Sequence, residues 1–193
     1  MCSSAVAANA PGTLLVFGDS LSAGYGLQAD QGWVSLLQKR LAAEGYGQRV
    51  VNASVSGETS GGGVSRLPRA LEQHPPEILI LELGANDGLR GLPIALTRKN
   101  LGTMIATAQK SGGRVLLVGV QLPPNYGPAY TQSFQDMYRT VAGETHAALV
   151  PFLMERVALD EHLMQADGLH PNAAGQPLLL DNVWRQLKPL LHR

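Results

Sequence analysis

The feature that most constrains the fold of this chain is the alternation of short apolar runs with amphipathic segments. Residues 78–83 (Ile-Leu-Ile-Leu-Glu-Leu) are nearly all apolar, a pattern expected for a strand that is covered on both faces of a sheet. The same reasoning predicts four further strands, at residues 13–17, 49–53, 114–119 and 148–150.

Segments with a helical period separate and follow these strands. Residues 33–44 place Trp33, Leu37 and Leu41 on one face, and Pro177 lies near the first turn of a terminal helix or kinks it. Further helices are predicted at residues 63–73, 94–109, 131–145 and 172–190. This alternation of strands and helices predicts an α/β fold with a five-stranded parallel sheet, right-handed crossovers and helices on both faces.

Length and charge narrow the classes of function. The chain has 193 residues, which suits one domain, and we expect that domain to span residues 13–193. Acidic and basic residues number 15 each, so there is no electrostatic argument for nucleic acid or for an anionic membrane surface. No apolar stretch approaches the roughly 18–20 residues of a membrane span. A monomer is the default expectation.

The first 12 residues are small and uncharged. Ala5-Val6-Ala7 and Ala8-Asn9-Ala10 match the pattern of signal-peptidase sites, although a charged region and an apolar region before them are missing. We interpret residues 1–12 as the remainder of a secretory signal, which predicts a periplasmic or secreted enzyme; the alternative is a disordered tail. Cys2 is the only cysteine, so no intrachain disulfide can form, and it is a weak candidate for lipid modification.

A candidate nucleophile follows the first predicted strand. Ser20 lies where that strand opens into a loop, and ligand crevices of open α/β folds form at the carboxyl ends of the strands. A serine hydroxyl needs a base. His170 can supply it, with Asp167 three residues earlier to orient the imidazole. Two distant parts of the sequence would then meet in space.

Acyl transfer also needs donors for the oxyanion that develops on the substrate carbonyl. Gly57, after the second predicted strand, can present a backbone N–H because it has no side chain to obstruct it. Asn86, after the third, can present its amide, and the Ser20 N–H is a third donor. Taken singly, Ser20 could also be a turn or N-cap residue, Gly57 a residue with unusual dihedral angles and Asn86 a cap. Asp19 and Asp87 are interpreted as structural.

Together these residues resemble the four sequence blocks of the SGNH (GDSL) hydrolase family, named after its serine, glycine, asparagine and histidine. The resemblance covers the chain from about Thr13 to Leu190. It implies a flavodoxin-like three-layer α/β/α sandwich and a Ser–His–Asp hydrolase without metal or cofactor. The blocks stand here in order as Gly18-Asp19-Ser20-Leu21, Gly57, Gly84-Ala85-Asn86-Asp87 and Asp167-Gly168-Leu169-His170.

Other segments look like the bacterial multifunctional thioesterase/lysophospholipase/arylesterase group of exported enzymes. These are Gly32-Trp33-Val34, Asn52-Ala53-Ser54, residues 84–91 and residues 121–127. The resemblance implies hydrolysis of carboxylic esters and of thioesters or lysophospholipids through an acyl-enzyme. It also implies an acyl pocket lined by Leu122, Pro123, Pro124 and Tyr126, although these residues could instead form a proline-stiffened loop.

Alternative functions remain open at this point. A carbohydrate O-acetyl esterase would use the same scaffold, and a non-catalytic binding module would keep it without turnover. No histidine pair has metal-ligand spacing with a third ligand, which predicts no metal site. Residues 61–63 are three glycines, but they lack the lysine and serine or threonine of a phosphate-binding loop. We expect them to make the loop after Gly57 mobile.

Overall fold

The computed structural model describes residues 12–192. Except for Gly12, the N-terminal segment interpreted as a signal remnant, Cys2 included, lies outside the described residues. The strands are β1 (Thr13–Gly18), β2 (Arg49–Asn52), β3 (Ile78–Glu82), β4 (Arg114–Val118) and β5 (Ala148–Val150). All five are parallel and form one sheet in the order β2-β1-β3-β4-β5. This is the flavodoxin-like order, and it confirms the predicted fold class.

The described part of the chain contains seven α-helices. They are α1 (Ser20–Ala23), α2 (Trp33–Ala43), α3 (Ser60–Gln73), α4 (Ala85–Leu89), α5 (Ile94–Lys110), α6 (Pro128–Thr145) and α7 (Gln176–Leu187). Helix α2 packs on α7, whereas α3, α5 and α6 pack in a row. The connection β1–β2 runs in the opposite direction to β2–β3, so right-handed crossovers place α2 and α3 on opposite faces of the sheet. The short helices α1 and α4 follow the carboxyl ends of β1 and β3.

The main differences between the predicted and the observed elements concern α3, α7 and α4. The three glycines at 61–63 form the first turn of α3 and not a mobile loop, because Thr59 Oγ1 accepts a hydrogen bond from Gly62 N and caps the helix. The predicted terminal helix is shorter: α7 begins at Gln176, and Pro177 occupies its first turn without a kink. The short helix α4 was not predicted.

The core is built on the two central strands. The side chains of residues 14–17 in β1 and 78–82 in β3 are fully buried, as expected for strands covered on both faces. Helix α2 adds Trp33, Leu37 and Leu41, which are also fully buried. Strand order reverses between β1 and β3, and a crevice opens at such a point beyond the carboxyl ends of the strands.

Removing buried volume from this core should destabilise the protein. We expect Leu37→Ala to lower the free energy of unfolding by about 2–5 kcal/mol, because the cavity adds to the lost transfer free energy. Leu159→Ala deletes the same atoms from a side chain that is 91% exposed and should change it by less than about 0.5 kcal/mol. Urea denaturation of the two variants makes the comparison; equal effects would contradict the packing described here.

Candidate active site

Ser20 lies at the first residue of α1, two residues beyond the end of β1. Asp19 caps this helix, since its Oδ1 accepts a hydrogen bond of 3.1 Å from Leu21 N. The cap fixes the sharp turn from strand to helix, as expected for Asp19. The Ser20 side chain is thereby directed into a cavity at the carboxyl edge of the sheet.

Three side chains form one hydrogen-bonded line. Ser20 Oγ lies 2.8 Å from His170 Nε2, and His170 Nδ1 lies 2.7 Å from Asp167 Oδ2. Although 150 positions separate serine and histidine in the sequence, they meet as the sequence analysis predicted. The arrangement has the geometry of a nucleophile, its base and the carboxylate that orients the base.

The Asp167 carboxylate is held by its own turn. Its Oδ1 accepts hydrogen bonds from Leu169 N at 2.9 Å and from His170 N at 3.0 Å. Gly168, within the turn, has a φ of +64°, which favours glycine. Desolvation alone would raise the pKa of Asp167, but these N–H groups and the imidazole outweigh it and lower the pKa to about 2.

Two residues that the sequence analysis did not single out hold His170. The ring of Tyr25 lies against the imidazole, with 4.7 Å between ring centroids. Gln165 Nε2 donates to Tyr25 O at 2.8 Å and to Pro171 O at 3.1 Å, and Gln165 N donates to His170 O at 2.7 Å. Gln165 therefore ties the Tyr25 loop to the histidine loop.

Gly57 lies in the wall of the same cavity as Ser20. Its φ of +79° is strained for any residue with a side chain. Arg66 fastens this loop by donating to Ala53 O at 2.6 Å and to Glu58 Oε2 at 2.8 Å. Arg90 Nη2 donates to Gly57 O at 3.2 Å. Within residues 12–192, neither Gly57 N nor Ser20 N donates to another protein group, so both N–H groups are free to bind an anion.

The Asn86 side chain also lines the cavity, in the first turn of α4. Its Nδ2 donates to Asp19 Oδ2 at 3.1 Å and to Glu58 O at 3.0 Å. An amide nitrogen carries two hydrogens, so both are already engaged. An oxyanion would have to share one of them, a constraint that the sequence analysis did not foresee.

The cavity has a volume of about 600 Å³ and a mainly apolar wall. Leu122, Pro123 and Pro124 line it, but Tyr126 does not. The Tyr126 hydroxyl instead donates to the carbonyl of Leu89, at 3.0 Å. The segment after β5 contributes wall residues that the sequence analysis did not identify: Phe152, Met154, Ala158, Leu159 and Met164.

Asp87, next to Asn86 in α4, has the structural role that was expected of it. It is buried and accepts hydrogen bonds from Ser60 N, from Ser60 Oγ and from Thr97 Oγ1. These contacts tie the start of α3 to α4 and α5.

Among residues 12–192 we find no group of three histidine, cysteine or acidic side chains arranged to hold a metal ion, and no helix long and apolar enough to span a membrane.

Comparison with known proteins places the chain in a family. Residues 16–178 match the model of the GDSL-like lipase/acylhydrolase family. Esterase TesA of Pseudomonas aeruginosa is 56% identical over 93% of this chain and 89% of its own length. Thioesterase 1/protease 1/lysophospholipase L1 of Escherichia coli K12 is 42% identical over 96% of this chain and 88% of its own.

Solved structures agree. A crystal structure of TesA superposes with a TM-score of 0.91, covering 93% of this chain and 99% of that one, at 56% identity. The psychrotrophic esterase EstA from Pseudoalteromonas sp., inhibited by monoethylphosphonate, superposes with a TM-score of 0.88 at 43% identity, covering 92% and 97%. The chain therefore belongs to the GDSL-like lipase/acylhydrolase family.

Proposed function

We propose that the protein is a serine esterase that cleaves carboxylic esters, and thioesters or lysophospholipids in addition, through an acyl-enzyme on Ser20. The observation that carries this proposal is the hydrogen-bonded line from Asp167 through His170 to Ser20, which ends in an apolar cavity. The names of the similar proteins, an esterase and a thioesterase/lysophospholipase, support the same chemistry.

In this mechanism Ser20 Oγ attacks the substrate carbonyl while neutral His170 Nε2 accepts the hydroxyl proton. The ionised Asp167 stabilises the resulting imidazolium. His170 then gives its proton to the departing alkoxide or thiolate, which leaves an acyl ester on Ser20. A water molecule, deprotonated by the same His170, attacks that ester, and Ser20 regains its proton when the carboxylic acid departs.

We assign the oxyanion to the N–H groups of Ser20 and Gly57 and to the Asn86 amide. The two backbone donors have no competing partner in the described chain. They also belong to turns that are fixed by Asp19 and Arg66. Donors that are held in place before the reaction cost no reorganisation when the charge develops.

The shape of the cavity favours an acyl chain over a small acyl group. A volume of about 600 Å³ falls within the range of pockets that bury drug-sized ligands. An acetyl group would leave most of this apolar wall uncovered, so the carbohydrate O-acetyl esterase is the less favoured alternative. We assign the wall residues Leu122, Pro123 and Pro124 to the acyl site, with Tyr126 supporting that wall through Leu89.

We also infer that the enzyme works in the periplasm or outside the cell and that residues 13–193 form its single catalytic domain. The Ala-x-Ala tripeptides within residues 5–10 support export. Fractionation of a bacterial host that expresses the full coding sequence, with sequencing of the mature N-terminus, tests the location.

Ser20→Ala should abolish hydrolysis of p-nitrophenyl esters, lowering kcat by about 10⁴-fold or more, because no other group can form the acyl-enzyme. Folding should be retained. The matched control is Ser111→Ala, an exposed serine at the opposite edge of the sheet, which should leave the rate unchanged. Assays from acetate to palmitate esters measure both effects. A rate that does not depend on Ser20 would refute the mechanism, and a sharp optimum at acetate would favour the deacetylase.

The rate should fall as the pH is lowered into the acidic range, because an imidazolium cannot accept the serine proton. Asp167 should not contribute to this loss, since its pKa of about 2 keeps it ionised throughout. The pH dependence of kcat/KM on a p-nitrophenyl ester measures the effect. A constant rate over this range would be incompatible with a histidine base.

Asn86→Ala should lower kcat by about 10²–10³-fold if the amide stabilises the oxyanion. KM should change little, because the interaction is made mainly in the transition state. Asn125→Ala, at an exposed asparagine of the loop after β4, is the control. Pre-steady-state measurement of the acylation step provides the test, and an unchanged acylation rate would exclude the role.

A further inference from the structure

Two buried carboxyl groups lie close to the nucleophile, and neither takes part in the proton transfers of the mechanism. Asp19 and Glu82 are both fully buried. They are neighbours because the register of β1 and β3 pairs Gly18 with Glu82. In the described part of the chain, neither carboxyl forms an ion pair with a lysine or arginine. Two adjacent buried carboxylates without a cation would repel each other strongly, so one of them is expected to hold a proton.

The contacts of Glu82 identify it as the proton carrier. Its Oε2 accepts hydrogen bonds from Ser22 Oγ at 2.7 Å and from Asp19 N at 3.4 Å, whereas its Oε1 receives none from any donor among residues 12–192. A buried carboxylate oxygen without a donor is costly. That cost is avoided if Glu82 is protonated and is itself the donor to the neighbouring Asp19, because a protonated carboxyl carries its own hydrogen.

Asp19 uses its two oxygens for the site. Oδ1 accepts from Leu21 N and so holds the turn that carries Ser20, and Oδ2 accepts from Asn86 Nδ2. A carboxylate that accepts both bonds links the Ser20 turn to Asn86. A third bond, from the neighbouring Glu82, would leave it little freedom to rotate and would fix the position of Asn86 through Asp19.

Electrostatics support the same assignment. Burial, followed by the negative charge of Asp19, raises the pKa of Glu82 well above its ordinary value. Burial also raises the pKa of Asp19, to about 6, although the hydrogen bonds of Asp19 and the charge of His170 oppose the shift. The other titratable groups that act on this region, Tyr138 and Asp87, carry no positive charge.

We propose that Glu82 is a neutral carboxylic acid that donates a hydrogen bond to the Asp19 carboxylate and thereby positions the Asn86 amide for the oxyanion. Glu82 is a positioning residue, since it touches no reacting atom. Its proton also draws negative charge away from the Asp19 carboxylate. A bare carboxylate behind Asn86 would repel the oxyanion that the amide has to stabilise.

The first test compares two substitutions of similar length. Glu82→Gln keeps an N–H donor for Asp19, whereas Glu82→Met keeps the volume without any donor. We expect the glutamine variant to retain kcat within about threefold. The methionine variant should lose about 10- to 100-fold in kcat with little change in KM, because a misplaced donor acts on the transition state. Glutamine can donate a hydrogen bond but cannot be charged. If glutamine retains the activity that methionine loses, Glu82 therefore acts as a hydrogen-bond donor and not as a charge.

This inference rests on the proposed esterase function, so Ser20-dependent hydrolysis by the unsubstituted enzyme is measured first. If that hydrolysis is present and glutamine is as damaging as methionine, Glu82 acts as a charged group and the proposal is wrong. Full activity of the methionine variant overturns it as well, because no positioning would then be needed.

The second test does not require the methionine variant to fold. The infrared spectrum of the unsubstituted protein at neutral pH should contain the carbonyl stretch of a protonated carboxylic acid, and Glu82→Gln should remove it. Glu72→Gln, at an exposed position of α3, is the control and should leave that band unchanged. A difference spectrum in which Glu82→Gln removes only carboxylate bands would show that Glu82 is ionised and would overturn the proposal.

Discussion

The pairing of β1 with β3 is the interaction on which the whole site depends. Gly18 lies opposite Glu82, so the two strands end level, and the residues beyond them, Ser20 and Asn86, line the same cavity. Residues 14–17 of β1 and 78–82 of β3 are fully buried, and a slip of one residue would exchange the faces to which their side chains point. The register is therefore strongly specified by packing, and it fixes where the loops that carry Ser20 and Asn86 begin.

The base reaches the nucleophile through helix packing and not through the sheet. Helix α7 packs against α2, and Trp33 N donates to Gln176 Oε1 at 3.0 Å, which joins the starts of the two helices. This contact brings the histidine loop, which precedes α7, over the carboxyl end of β1. Gln165 adds a hydrogen bond to the Tyr25 loop. The contact between Ser20 and His170, which are 150 positions apart in the sequence, therefore depends on the packing of α2 against α7.

Much of this arrangement could be predicted from the sequence, for identifiable physical reasons. The five strands are apolar runs that leave little choice of structure, and Ser20, Gly57, Asn86 and His170 stand in recognisable blocks. The helical start of α3 was missed because three glycines oppose a helix locally, whereas the Thr59 cap and packing against Leu83 favour it. The engagement of the Asn86 amide could not be predicted, because the atoms involved come from three separate loops. The buried carboxyl pair does have a signal in the sequence, since Glu82 is an acidic residue inside an otherwise apolar run.

The pKa values of two aspartates near His170 are shifted in opposite directions. Asp167 accepts backbone N–H groups at the mouth of the site, and these hold its pKa at about 2. Asp19 lies in the interior next to a second acid, and burial raises its pKa to about 6. Environments that separate the pKa values of like groups also separate their roles. Asp167 is a permanent charge suited to orienting the imidazole. In the proposed arrangement Asp19 accepts a hydrogen bond from protonated Glu82, which reduces the negative charge on the Asp19 oxygens. Asp19 can therefore lie next to the oxyanion site without strongly repelling the negative charge that forms there.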